Sequence, residues 1–241
     1  MINFIEATLI AGSKIANILE SKNKILYTKH TQNTSGDISI EADLLSEKIF
    51  CKFLGKFGNI DSEESEFIDN HKDYTIILDP LDGSDNFLSN IPYYGASIAL
   101  CNKDLEPQIG IIMNFCTQIV VINYQNKNFI GKLGQNFSDF KMQENSTNSV
   151  KCGIFEGAYS KPEICNILAL NHIKFRSLGA LALSLALAND VNFLLFSGKK
   201  RRFDLKAGEL ITQHLYKIED KKFTLISKDK ELFDKIANLL F

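Results

Sequence analysis

The sequence predicts an α/β fold in which sheet layers are covered by helices. Three observations predict it: a helical apolar pattern over residues 1–21, a short β-branched run at 74–78 that leads into a meander, and apolar runs alternating with helical patterns after residue 150. The 241 residues are 45% hydrophobic, enough for one large α/β unit or two intimately packed halves.

Ile2, Ile5, Leu9, Ile15, Ile18 and Leu19 recur at helical spacing, so the first helix is amphipathic. Leu44, Leu45, Ile49, Phe50 and Phe53 give a second helical pattern over 43–54. Residues 74–78 (YTIIL) suit a buried strand. Strand-like runs at 96–100, 108–114 and 119–124 are separated by polar turns and read as an antiparallel meander. Residues 134–150 are polar and poor in aliphatics, which places a loop or domain junction there. Beyond it, strands are expected at 151–155, 173–176 and 191–196. Helices are expected at 161–170, 180–188, from Leu205 and from Lys230. The expected division is residues 1–140, with most of the acidic candidates, and residues 141–241.

Charge and cysteine usage narrow the function classes. Lys+Arg is 27 and Asp+Glu is 29, a formal net charge of -2, which lacks the basic excess of a general nucleic-acid binder. Glu6 and Lys14 interrupt the N-terminal apolar residues, so neither a signal peptide nor a membrane span is expected. Cys51, Cys101, Cys116, Cys152 and Cys165 are widely spaced and form no C-x-x-C pair. They read as reduced thiols of a cytoplasmic protein.

The strongest local signal is Asp79-Pro80-Leu81-Asp82-Gly83-Ser84, which begins where an apolar strand ends. Alone, it would pass for a solvated acidic turn, since Asp, Pro, Gly and Ser all favour turns for local reasons. Asp37 and Asp43, the Glu63-Glu64 pair, and Asp204 at the start of a helix add further carboxylates. Helix capping would also explain Asp43 and Asp204. An oxygen-only donor set suits a hard cation such as Mg²⁺, and His30, His71, His172 and His214 form no paired zinc-ligand spacing. Hard cations neutralise an anionic phosphate ester so that a nucleophile can approach it.

Taken together, these elements resemble the inositol monophosphatase family, which takes in archaeal fructose-1,6-bisphosphatases and relatives acting on 3′-phosphoadenosine phosphate. The resemblance rests on D-x-x-x-x-x-D at 37–43, E-E-S at 63–65, D-P-L-D-G-S at 79–84, R-S-L-G at 176–179 and D-x-x-A-G at 204–208. It implies a layered αβαβα sandwich of the sugar-phosphatase type and a phosphoric monoester hydrolase. It also implies two or three Mg²⁺ ions with Mn²⁺ as a substitute, a small phosphorylated metabolite as partner, and a homodimer. Carried over by position, Glu63, Asp79, Asp82, Asp204 and the Leu81 carbonyl would ligate metal. Glu63 and Ser84 would orient and deprotonate the attacking water, with Asp37 assisting. Gly83 and Ser84 N–H groups would hold phosphate oxygens, and Gly179 and Ala180 would lie near the organic part of the substrate.

The chain departs from the family pattern at several positions. Ser62 stands where Gly usually precedes the paired Glu, Ser84 where Thr is commonest, and Phe203 where Trp is common. Ser197 stands where animal enzymes place an inositol-contacting Glu. Lys199 and Arg201 match the basic positions of a G-K-x-R-x-x-D stretch in archaeal bifunctional members, implying a contact to a second phosphate. A solvated basic loop is the alternative for that run. A non-catalytic phospho-metabolite or polyanion-binding protein is the alternative from another function class.

Overall fold

Residues 1–32, 38–65, 67–144, 151–197 and 201–241 are described by a computed structural model. The first part runs α1 (Ile2–Glu20), β1 (Lys29–Gln32), β2 (Ile38–Ile40), α2 (Glu41–Leu54), β3 (Asn59–Ser62), β4 (Thr75–Asp82) and α3 (Ser84–Leu88). A meander follows: β5 (Gly95–Cys101), β6 (Pro107–Asn114), β7 (Ile119–Tyr124), β8 (Lys127–Lys132) and β9 (Lys141–Met142). The second part runs β10 (Gly153–Glu156), α4 (Pro162–Leu170), β11 (Phe175–Arg176), α5 (Leu181–Ala186), β12 (Leu194–Ser197) and α6 (Arg202–Thr212). It ends with β13 (Tyr216–Glu219), β14 (Phe223–Ser227) and α7 (Lys230–Leu240).

Period-two alternation explains the layers. In β4, Ile76 and Leu78 point into a core shared with α1 and α2, while Ile77 points the other way. In β6, Ile109, Ile111 and Met113 join the first core and Ile112 the second. The second core also takes Ala182, Leu183 and Leu185 from α5, Ala207 and Ile211 from α6, and Leu194 and Phe196 from β12. Leu195, on the opposite face of β12, joins Leu168 of α4 and Ile236 of α7 in a third core. Helices, sheet, helices, sheet, helices is therefore the order of layers, as the resemblance implied.

The first sheet has seven strands in the order β3-β4-β5-β6-β7-β8-β9. Only β3 and β4 are parallel. The second has five, β11-β10-β12-β14-β13, with β11, β10 and β12 parallel and the other pairs antiparallel. Among the described residues, α1 is the one helix long and apolar enough to cross a membrane. More than half of it is buried inside the molecule, in the first core.

Three readings change. The polar stretch taken as a loop from residue 134 holds a one-turn helix at Phe137–Asp139 and the edge strand β9. The helix expected from Leu205 begins at Arg202, because Phe203 is buried and the buried Ser97 hydroxyl donates to its carbonyl at 3.1 Å. The acidic segment expected to turn from residue 79 stays in strand β4 through Asp82.

One glycine fixes how closely α6 approaches the first sheet. A Cβ on Gly110 would stand 2.6 Å from the Ala207 carbonyl oxygen. Gly110→Ala is expected to push α6 off β6 and cost about 1–3 kcal/mol, read as a lower urea midpoint. Because Asp204 rides on α6, its carboxylate should shift with it. An unchanged midpoint would mean that α6 yields freely.

Candidate metal centre and active site

The site forms where β3, β4 and α6 meet. The apolar half of β4 buries it between β3 and β5, so its polar end is delivered to a fixed place. Strands β4 and β5 pair at Asp79↔Ser97 and at Asp82↔Gly95, with a register irregularity between. Three steps on β4 oppose two on β5, a bulge, and Pro80, which has no N–H to leave unpaired, falls inside it. The Leu81 N–H donates to the Asp79 carboxylate at 3.0 Å and tightens this bulge. Gly83 then reverses the chain with φ +88°, where an added Cβ would stand 2.9 Å from the Tyr93 carbonyl oxygen.

Ser84 opens α3, and its hydroxyl is 2.7 Å from Asp43 Oδ1 and 2.9 Å from the Leu81 carbonyl. Asp43 sits in the first turn of α2, where its other oxygen accepts the Ile40 N–H at 2.7 Å. The capping role and the contact to Ser84 are thus both present in one carboxylate.

Glu63 extends β3 by donating its N–H to the Leu78 carbonyl at 3.1 Å. Asp204 lies in the first turn of α6, and α6 packs across β4, β5, β6 and β7. Glu63, Asp79 and Asp204 each present a carboxylate oxygen, all within 4.8 Å of one another, and all three residues are buried. Asp82, also buried, accepts the Leu183 N–H at 3.0 Å. Arg201, just before α6, turns its guanidinium onto the same group. Nε lies 3.0 Å from Asp204 Oδ2, Nη2 lies 3.4 Å from Oδ1, and Nη1 donates to Glu63. Arg202 pairs with Asp61 at 2.7 Å.

Burial pushes Asp79 well above the usual carboxylate range, and the charges of Glu63, Asp82 and Asp204 push it the same way. Burial also raises Asp82, together with Asp204, Glu156 and Glu63, while the Leu183 N–H opposes. Burial would lower the Arg201 value, but Asp204 and Glu63 outweigh it and hold the guanidinium charged. A buried oxygen-only cluster that already draws a guanidinium fits a hard divalent cation.

Burial pushes Asp43 up to about 7, against the lowering effect of the Ile40 N–H and with Glu64 adding to the rise. The native state therefore holds a proton that the unfolded chain releases near the ordinary carboxylate value of about 4. That contribution to stability is full below about 4 and is lost as pH rises through about 7. Metal-free protein is expected to lose urea stability between about pH 5 and about pH 8, and Asp43→Asn to make the slope shallower. Equal slopes in the two proteins would contradict the assignment.

The structure brings Glu63, Asp79 and Asp204 together, with Leu81 and Asp82 at the end of β4 and Gly83 and Ser84 at the start of α3 beside them. Ala180 is adjacent, since its Cβ would lie 3.2 Å from a Cβ on Gly83. Gly179 donates its N–H to Glu156 at 2.9 Å. Asp37 and Lys199 lie outside the described residues. Arg201 faces the carboxylates.

The roles of two residues escaped the sequence reading. Asp43 stands among the acidic candidates of the sequence, with helix capping as its alternative, but its contact to the Ser84 hydroxyl is not legible there. Buried Glu156 accepts the Ser184 hydroxyl at 2.5 Å, and Ser184 is 3.2 Å from the Tyr93 hydroxyl. The signal for Glu156 was an acid ending an apolar strand (GIFE), the same pattern that marks Asp79.

A two-sheet sandwich with a carboxylate cluster at the meeting of β3, β4 and α6 defines a layered α/β protein with a buried acidic cluster that could hold a cation. The chain belongs to the inositol monophosphatase family, whose sequence profile matches residues 2–215. A fructose-1,6-bisphosphatase of Pyrococcus furiosus is 41% identical over 85 residues, 35% of this chain and 33% of that protein. A fructose-1,6-bisphosphatase/inositol-1-monophosphatase of Methanocaldococcus jannaschii is 37% identical over 94 residues, 39% of this chain and 37% of that one. The chain thus matches only about a third of the length of these relatives. The extragenic suppressor protein suhB of Bartonella henselae shares the fold, with TM-score 0.79 at 21% identity over 98% of this chain and 97% of that one.

Proposed function

We propose that this chain is a Mg²⁺-dependent phosphomonoesterase that hydrolyses a small phosphorylated metabolite. The observation that carries the reading is the convergence of Glu63, Asp79 and Asp204 beside the hydrogen-bonded Ser84–Asp43 pair. Glu63, Asp79, Asp82, Asp204 and the Leu81 carbonyl would hold two or three Mg²⁺ ions, or Mn²⁺ in their place. When bound, these ions supply neutralisation of the phosphate charge and a lowered water pKa.

The chain supplies the rest. Asp43, which titrates near neutrality at about 7, takes the Ser84 proton, so the Ser84 oxygen is free to accept a proton from the attacking water. Glu63 orients that water, and Asp37 belongs to the same relay. The N–H groups of Gly83 and Ser84 face the phosphate oxygens. Gly179 and Ala180 bound the organic part, with Leu178 tied to Asn86 at 2.8 Å. Lys199 and Arg201 are the residues proposed to meet a second phosphate. Positioning and charge neutralisation account for most of the rate gain in phosphoryl transfer.

Inositol monophosphate and fructose 1,6-bisphosphate are the substrates favoured by the names of the archaeal relatives. A 3′-phosphoadenosine phosphate-type nucleotide is the alternative. A homodimer is inferred from the family resemblance, and a cytoplasmic location from cysteine usage, since the unpaired state of the five cysteines suits a reducing compartment. The test is phosphate release across phosphorylated sugars, inositols and nucleotides with Mg²⁺. Turnover of one class supports the reading. Binding of those compounds without release of phosphate would favour a non-catalytic phospho-metabolite binder.

A further inference from the structure

We propose that Arg201 is a resident counter-cation of the carboxylate cluster, and that a divalent cation loads the site by displacing its guanidinium. This rests on the reading that Glu63, Asp79 and Asp204 hold such a cation.

The geometry makes the competition direct. Of the three carboxylates that converge, Arg201 engages two: both Asp204 oxygens, at 3.0 and 3.4 Å, and one Glu63 oxygen. A carboxylate lone pair directed at a guanidinium N–H is not directed at an incoming cation, and the positive charge repels that cation. Without any cation, buried carboxylates this close would repel one another, so the Arg201 charge stabilises the metal-free fold.

Position makes displacement possible. The Arg201 side chain is 28% exposed, against 7% for Glu63 and 4% for Asp204. The guanidinium therefore sits on the solvent side of the cluster and is the part that can leave. Arg201 is also the residue before the first turn of α6, with extended backbone (φ -84°, ψ 137°), so moving its side chain need not disturb the helix that carries Asp204. Arg202 does not share this role, since it pairs with Asp61.

The experiment is Mg²⁺ binding to metal-stripped protein by calorimetry, without substrate, for wild type and Arg201→Gln. Removing the competitor is expected to tighten Mg²⁺ binding by about tenfold or more, the equivalent of losing a charge-assisted contact. The thermal midpoint of the metal-free variant should fall below wild type, and the two midpoints should converge at saturating Mg²⁺. Equal or weaker Mg²⁺ affinity in Arg201→Gln would overturn the proposal while leaving the cation site standing. Absence of Mg²⁺ binding in both proteins would remove the cation site itself, and the proposal with it.

A second readout needs no variant. The Arg201 Nε–H resonance should be protected from exchange in the metal-free protein and lose that protection with the midpoint of the Mg²⁺ isotherm. A resonance unmoved by saturating Mg²⁺ would overturn the proposal.

Discussion

Asp79→Asn is expected to lower turnover by roughly 10³-fold or more while leaving the chain folded. Asparagine keeps the shape of the side chain and its acceptor for the Leu81 N–H, which holds the bulge at 3.0 Å. It removes a charge that, with Glu63 and Asp204, would hold the cation. Losing several kcal/mol of charge stabilisation in the transition state corresponds to a loss of that size. The metal-free variant should melt no lower than wild type. Burial and the charges of Glu63, Asp82 and Asp204 all disfavour an ionised Asp79 in the native state. Steady-state kinetics and a melting curve without metal check both halves. Turnover at the wild-type rate would show that the cluster is not the site.

Ser84→Ala should reduce turnover by roughly 10²–10⁴-fold, the size of a lost general-base relay. The Ser84 hydroxyl bonds Asp43 and the Leu81 carbonyl, so its removal should leave Mg²⁺ affinity nearly unchanged. Ser84→Thr, which keeps the hydroxyl, should retain much of the activity. Asp43→Asn should cost much less in a Ser84→Ala background than in wild type, because the two act as one unit. Additive losses would separate Asp43 from the relay. A trapped phosphoserine at Ser84 would replace water attack with a covalent route.

Much of the fold was legible because local pattern and tertiary role agree. The Ile5, Leu9 and Ile15 stripe of α1 is its buried face, and Ile76, Ile77 and Leu78 are buried from both sides of the first sheet. The hairpin of β13 and β14 was missed. Its connection reads Asp220-Lys221-Lys222 rather than an Asn-Gly or Asp-Gly turn, and the edge strand β13 is mostly exposed, so only the buried run of β14 carries a strand signal. β8 was missed for a related reason: it is only half-buried, and Lys127 and Lys132 bound it.

At the site, residue identity was legible and partnership was not. Asp79 and Asp82 stand out in one short motif. The meeting of Glu63 with Asp204 depends on α6 packing across the first sheet, a contact between distant segments that no local pattern encodes. Arg201 shows the same limit. Its spacing of three from Asp204 permits a helical-type pair, and the pair forms because α6 starts at Arg202, which sets Arg201 and Asp204 on the same side of its first turn.

Phosphate release by metal-stripped protein, assayed on inositol monophosphate and fructose 1,6-bisphosphate while Mg²⁺ is titrated back, tests the central claim most directly. The expected result is no release in chelator and a saturable return of activity with Mg²⁺, since every proposed ligand is an oxygen donor. Full activity persisting in chelator, with no added metal, would contradict it.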